Sequence, residues 1–129
     1  MARKNTLLHK VAAAQSLATA FHTNPTLIRY LDNCSYQINI TTSDSTGTFA
    51  VEASNDYYVN EGNDALVTNP GTWVALPLGG GTPFSGGAND SILIDLNQLP
   101  FNAIRISYTP IVAGTGVADI YVVDKSIGA

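Results

Sequence analysis

From residue 27 onward the chain contains repeated runs in which apolar and polar side chains alternate, and that period of two confines those runs to β-structure. Tyr36, Ile38 and Ile40 alternate with Gln37, Asn39 and Thr41, so one face of the segment is apolar and the other is wet. Phe49, Val51 and Ala53 repeat the pattern, and so do Ile104, Ile106 and Tyr108. In the last such segment, Val117–Lys125, residues Val117, Asp119, Tyr121 and Val123 share one face while Ile120 and Val122 share the other. This strand is expected to be covered on both sides.

Turn chemistry punctuates these runs. Ser43-Asp44-Ser45-Thr46-Gly47 separates the first two, and the short connection predicts that they pair as an antiparallel hairpin. Ser54 through Gly71 reads as one long loop, rich in Asn, Asp and Gly. A short strand is expected around Trp73–Leu76, followed by a flexible loop with glycines at 79–81 and 86–87 and a strand over Ser91–Leu96. The turn Asn97–Asn102 and the sequence Gly114-Thr115-Gly116 delimit the last two strands. Seven or eight short strands with little helix predict an all-β antiparallel sandwich, most simply a jelly roll. No strand–helix alternation exists, which argues against a doubly wound nucleotide-binding fold.

The first residues read differently. Residues 1–31 carry Arg3, Lys4, Lys10 and Arg29 and no carboxylate, a formal +4. Residues 32–129 carry Arg105 and Lys125 against all ten carboxylates, a formal −8. Leu7, Val11, Ala14, Leu17, Ala18 and Phe21 recur every three or four positions, which predicts a short helix over 6–14, with Asn5 as its cap. A strand beginning at Leu17, Thr19 and Phe21, turned by Asn24-Pro25, is the alternative. The division that follows is a basic N-terminal arm, residues 1–26, joined to a β-sandwich domain, residues 27–129. His9 and Lys10 interrupt what would be the apolar part of a signal peptide, so cleavage is not expected. No run approaches the roughly 18 apolar residues needed to span a bilayer.

Four positive charges interleaved with leucine and alanine make a poor nucleic-acid tail. Together with Arg3, Lys4 and Lys10, the apolar residues Leu7, Val11, Leu17 and Phe21 suit an amphipathic segment that docks on protein, and an acidic body offers the complementary charge. The expected partner is therefore protein, including further copies of this chain, and not nucleic acid or membrane.

Little in the sequence supports catalysis. Charged residues make up 12% of the chain, about half the usual share of roughly 25%, which suits a surface packed against neighbours better than a freely dissolved enzyme. The single cysteine, Cys34, excludes an internal disulfide and reads as a small core hydrophobe. Both histidines, His9 and His22, fall in the arm, so no Ser/His/Asp set, acid–base carboxylate pair or histidine metal site can be assembled. Asp56, Glu61 and Asp64, interleaved with Asn55, Asn60 and Asn63, make an oxygen-rich loop of the kind that can bind calcium. Their spacing is not that of an EF-hand, and Asp and Asn are ordinary turn formers, so a solvated loop is the reading. The paired glycine clusters lack the Gly-Lys-Ser/Thr of a phosphate loop. Trp73 is expected to pack as a core or half-buried strand residue, and Arg105 to pair with one of the surrounding carboxylates, such as Asp95 or Asp119. Three glycosylation sequons, at Asn33, Asn39 and Asn89, are read as chance. No cofactor and no metal are implied.

The segment Gly47-Thr48-Phe49-Ala50-Val51-Glu52-Ala53-Ser54-Asn55-Asp56, followed after a loop by Thr72-Trp73-Val74-Ala75-Leu76, resembles a recurring β-sandwich unit. With Asp95-Leu96-Asn97-Gln98-Leu99-Pro100-Phe101, Ile104-Arg105-Ile106-Ser107-Tyr108-Thr109 and Gly114-Thr115-Gly116, it resembles small structural proteins of tailed bacteriophage virions over residues 27–126. That resemblance implies a non-enzymatic virion protein, decorating or cementing a capsid or forming part of a tail, assembled in many copies with other capsid or tail components. The same Ser-Asn-Asp…Trp signature is similar to discoidin-type, galactose-binding-like jelly rolls, which implies a carbohydrate-binding module for host attachment as the alternative. Its loops lack an aromatic–arginine cluster, leaving Tyr57 and Tyr58 as the stacking residues.

Overall fold

A computed structural model describes residues 3–27, 33–42, 44–60, 63–76, 82–84, 90–97 and 101–128. Along the chain the strands are β1 (Arg3–Ser16), β2 (Phe21–His22), β3 (Thr26–Leu27), β4 (Asn33–Thr41), β5 (Thr46–Ser54) and β6 (Tyr58–Asn60). They continue with β7 (Asn63–Asn69), β8 (Val74–Ala75), β9 (Thr82–Phe84), β10 (Asp90–Asn97), β11 (Ala103–Val112) and β12 (Val117–Gly128). No helix occurs among the described residues.

Two antiparallel sheets face each other. The first has the order β1-β12-β4-β10. The second has the order β2-β11-β5-β8, with β3 extending β2 along β11 and β9 extending β8 along β5. Taking β2 with β3 and β8 with β9, the chain of eight strands crosses from one sheet to the other at every step except that from β5 to β8. This is a jelly roll, as the strand spacing predicts. The hairpin β6–β7 stands apart as a small third sheet inserted between β5 and β8.

Period two decides what lies between the sheets. Tyr36, Ile38 and Ile40 of β4, Phe49, Val51 and Ala53 of β5, and Ile104, Ile106 and Tyr108 of β11 are all buried in one core. Ala118, Ile120 and Val122 of β12 join them, with Ile94 and Leu96 of β10. Cys34 lies in the same core, as a small hydrophobe should. The other row of β12, from Val117 to Val123, is half-buried on the outward face, so this strand has one core side and one open side.

Several expectations change. Strands β4 and β5 do not form a hairpin: β4 lies between β12 and β10, and β5 lies between β11 and β8 in the opposite sheet. The Thr42 hydroxyl accepts the N–H groups of Ser45, at 2.8 Å, and Asp44, at 3.2 Å, bending the chain from one sheet into the other. Alternation alone cannot distinguish two strands that pair from two that face each other across a core. Within Ser54–Gly71, read as loop, the structure forms β6 and β7. The strand expected at Trp73–Leu76 reduces to the two-residue edge Val74–Ala75. The glycines at 79–81 and 86–87 lie outside the described residues.

Residues 6–14 form strand, not helix. Positions Arg3 to Ser16 pair antiparallel with β12 from Gly128 to Val117. Leu7 and Val11 are four apart, a spacing that satisfies a helical face and a strand face alike, and pairing with a neighbouring strand outweighs the helix propensity of the alanines.

Candidate functional site

The residues singled out for assembly fall into two groups on the same N-terminal segment. Arg3, Lys4, Leu7 and Lys10 occupy β1, the edge of the first sheet, in register with Gly128, Ile127, Asp124 and Tyr121. Val11 is half-buried against the core. Leu17 and Phe21 belong to the fold itself. Leu17 is fully buried, its N–H donates to the Gly116 carbonyl at 2.9 Å, and its carbonyl accepts the Tyr108 hydroxyl at 3.0 Å. Phe21 stacks on Tyr108 with ring centroids 5.2 Å apart and meets Phe49 edge-on at 6.5 Å. Thr23 continues the attachment by exchanging hydrogen bonds with the backbone of Ile106. The aromatic trio ties the segment to the main core.

β1 is irregular where it passes Asp119. Its register with β12 shifts between Lys10 and Ala12 and again between Ala12 and Gln15, and Ala14 adopts φ 45°, a left-handed conformation that costs a residue with a Cβ about 1 kcal/mol. The Asp119 carboxylate offsets this by accepting the Ala14 N–H at 2.7 Å, and it holds the Lys10 ammonium at 3.4 Å. Lys10 also lies 5.4 Å over the Tyr121 ring. The Ala14 N–H first, and Lys10 after it, hold the Asp119 carboxyl below the ordinary carboxylate range. Sequence reasoning offered Asp119 as a partner for Arg105, and its grip on β1 was not foreseeable from spacing.

At the opposite end of the molecule, Tyr57 and Tyr58 point to different surroundings. Tyr57 is buried in a second small cluster with Val59 and Ala103, its ring 5.7 Å from that of Trp73, whereas Tyr58 is exposed. The two rings do not form a shared platform. Asp56 accepts the Ser54 hydroxyl and the Thr72 N–H, each at 2.7 Å. Those two contacts, the Thr72 N–H above all, hold its carboxyl below the ordinary range. Its role is to staple the β5 end to the segment before β8. No cluster of three metal-binding side chains occurs among the described residues, and Glu61 lies outside them. An open cleft of about 430 Å³ beside this staple is lined by Ala53, Thr72, Val74, Leu76 and Phe101.

Arg105 pairs with neither Asp95 nor Asp119. Its Nε donates to Glu52 Oε1 at 2.7 Å, because β11 and β5 align Arg105 directly with Glu52. The guanidinium also lies 4.3 Å over the half-buried Trp73 ring.

Residues that alternation did not single out lie on the outward face of the first sheet. Register aligns Leu8 with Val123, Ser35 and Asp95 in one row, and Lys10 with Tyr121, Gln37 and Leu93 in the next. Leu8 is 66% exposed and Leu93 75%. Leu93 had a sequence signal, because it is the apolar residue out of phase with Ile92, Ile94 and Leu96.

No family model and no curated protein matches the chain. Solved structures do share its fold. SPBc2 prophage-derived protein YomS is similar at 8% identity and TM-score 0.54, over 98% of this chain and 97% of that one. Tobacco streak virus coat protein is similar at 13% identity and TM-score 0.51, over 98% of this chain and 88% of that one. A chain of the T13 IBDV viral particle aligns at 10% identity and TM-score 0.52, over 98% of this chain but only 36% of its own length. At these identities the likeness is one of fold.

Proposed function

We propose that this chain is a non-enzymatic structural protein of a virion, built in many copies into a phage capsid surface or tail apparatus. The observation that carries the reading is a jelly roll matched end to end, over nearly all of this chain, by a prophage-derived protein and a viral coat protein. A virion role also suits the low charge of the chain and the uncharged outward positions Ser35, Gln37 and Asn39 of β4. In this role the N-terminal segment anchors the subunit through β1, the strand at the sheet edge that carries Arg3, Lys4 and Lys10. Leu17 and Phe21, by contrast, hold the segment to its own core.

The test is the mass of the native assembly by light scattering, together with quantitative detection of the chain in purified particles. A fixed, high copy number per particle supports the reading, and absence from particles overturns it. The carbohydrate alternative requires glycan binding that depends on Tyr57 and Tyr58. With Tyr57 packed inward, Tyr58 is the one ring of the pair left to stack on a sugar. Glycan-array binding lost in Tyr58→Ala would favour it.

A further inference from the structure

We infer that copies of this chain join edge to edge through the first sheet, β1 of one copy pairing antiparallel with β10 of the next. The inference rests on the assembly reading above and names the contact. Among the described residues the sheet order β1-β12-β4-β10 leaves β1 and β10 as its two edges, and each is regular over eight residues. β10 aligns with β4 from Asp90 to Asn97 without a shift, and β1 aligns with β12 from Arg3 to Lys10 before its bulges begin. Because neighbouring strands alternate in direction, a copy placed beside β1 with the same orientation presents its β10 antiparallel to it. The sheet then continues without reversing its pattern.

Charge and apolar exposure agree with this placement. The regular part of β1 carries Arg3, Lys4 and Lys10 and no acid, while β10 carries Asp90 and Asp95 and no base. Two β1 edges would bring like charges together, and so would two β10 edges; only the mixed contact is complementary. Directly opposed residues of an antiparallel pair share a face, and the outward rows hold Leu8 on β1 and Leu93 on β10. Opposing Leu8 to Leu93 covers the two exposed leucines of this face, sets Thr6 against Asp95, and places Lys4 diagonal to Asp95. Lys10 keeps its own partner, Asp119. The contact joins two different surfaces, so it is heterologous and propagates, closing as a ring or running on as a filament.

Charge reversal in the full chain tests it. Lys4→Glu and Asp95→Lys, each alone and each with an unchanged far-UV spectrum and melting temperature, should weaken self-association at least about tenfold in sedimentation. An equimolar mixture of the two variants restores complementary edges throughout and should reassemble, as should the double variant. Independently, a variant carrying both Leu8→Cys and Leu93→Cys should give a ladder of disulfide-linked multimers on mild oxidation, whereas each single variant stops at dimers. Unimpaired association of both single reversals, or no ladder, overturns the inference. If Asp95→Lys still enters purified particles at the wild-type copy number, the edge contact is wrong while the virion reading stands. Wild-type chain missing from particles sinks the reading itself.

Discussion

Asp119 on β12 accepts the backbone N–H of Ala14 on β1 at 2.7 Å, fastening the one irregular stretch of the N-terminal strand to its neighbour. Removing that acceptor by Asp119→Ala should loosen β1 while the buried strands stay intact. Hydrogen exchange would report it as faster exchange of amides within residues 3–16 with unchanged protection in β4, β5 and β11. Uniform loss of protection across all strands would contradict a local role.

The same contact has a pH signature. The folded pKa of Asp119 is depressed, chiefly by the Ala14 N–H and then by Lys10. Such a carboxylate contributes stability that is complete above its unfolded value, roughly 4, and that is lost as pH falls through the lower folded value. The Ala14 amide resonance should therefore titrate with an inflection below the ordinary Asp range. An inflection at or above it would mean that the carboxylate is not held as described.

Leu17 separates an appended arm from an integral one. It is fully buried at the sandwich end, so Leu17→Ala should destabilise the whole domain by about 2–5 kcal/mol. Its partner Tyr108 should lose about 1 kcal/mol as Tyr108→Phe, since the Leu17 carbonyl is left without its hydroxyl donor. Denaturant unfolding measures both. A Leu17→Ala variant of wild-type stability would show that the segment contributes nothing to the core.

Gly47 is fixed by the same aromatic corner. A Cβ built there lies 2.5 Å from the Tyr108 ring and hydroxyl, closer than real contacts allow. Gly47→Ala should cost about 1–3 kcal/mol through displacement of that ring. Its cost should shrink when Tyr108 is replaced by a smaller residue, a coupling that a double-mutant cycle reads directly.

Arg105 holds Glu52, its aligned neighbour on β5, and covers Trp73. Arg105→Ala should cost about 1–2 kcal/mol and shift Trp73 emission to longer wavelength, with Arg105→Lys recovering little because an ammonium cannot reproduce the planar stacking. Full recovery by lysine would reduce the interaction to simple charge.

Period two made the core legible. Every inward residue expected on β4, β5 and β11 is buried, because alternation reports directly which side faces apolar neighbours. Pairing was less legible, since partners such as Arg105 and Glu52 are far apart in sequence and their alignment follows from register. The N-terminal segment misled for a physical reason: spacings of four fit both periodicities, and what decides between them is the distant strand β12. Tyr57 and Tyr58 adjoin in sequence, yet β-geometry sends adjacent side chains to opposite sides, so their proximity never implied a joint surface.

The pairing of β1 with β12 joins Arg3 to Gly128, almost the full length of the chain apart. During synthesis β1 must therefore wait for β12, and the sheet that contains both cannot close until β12 has been made. A pairing of such long sequence separation is slow to form, because a long loop must close before the contact is made. Throughout that interval an unpaired β1 is open to the β12 of any second copy, so exchange of this strand is the misassembly that the topology invites.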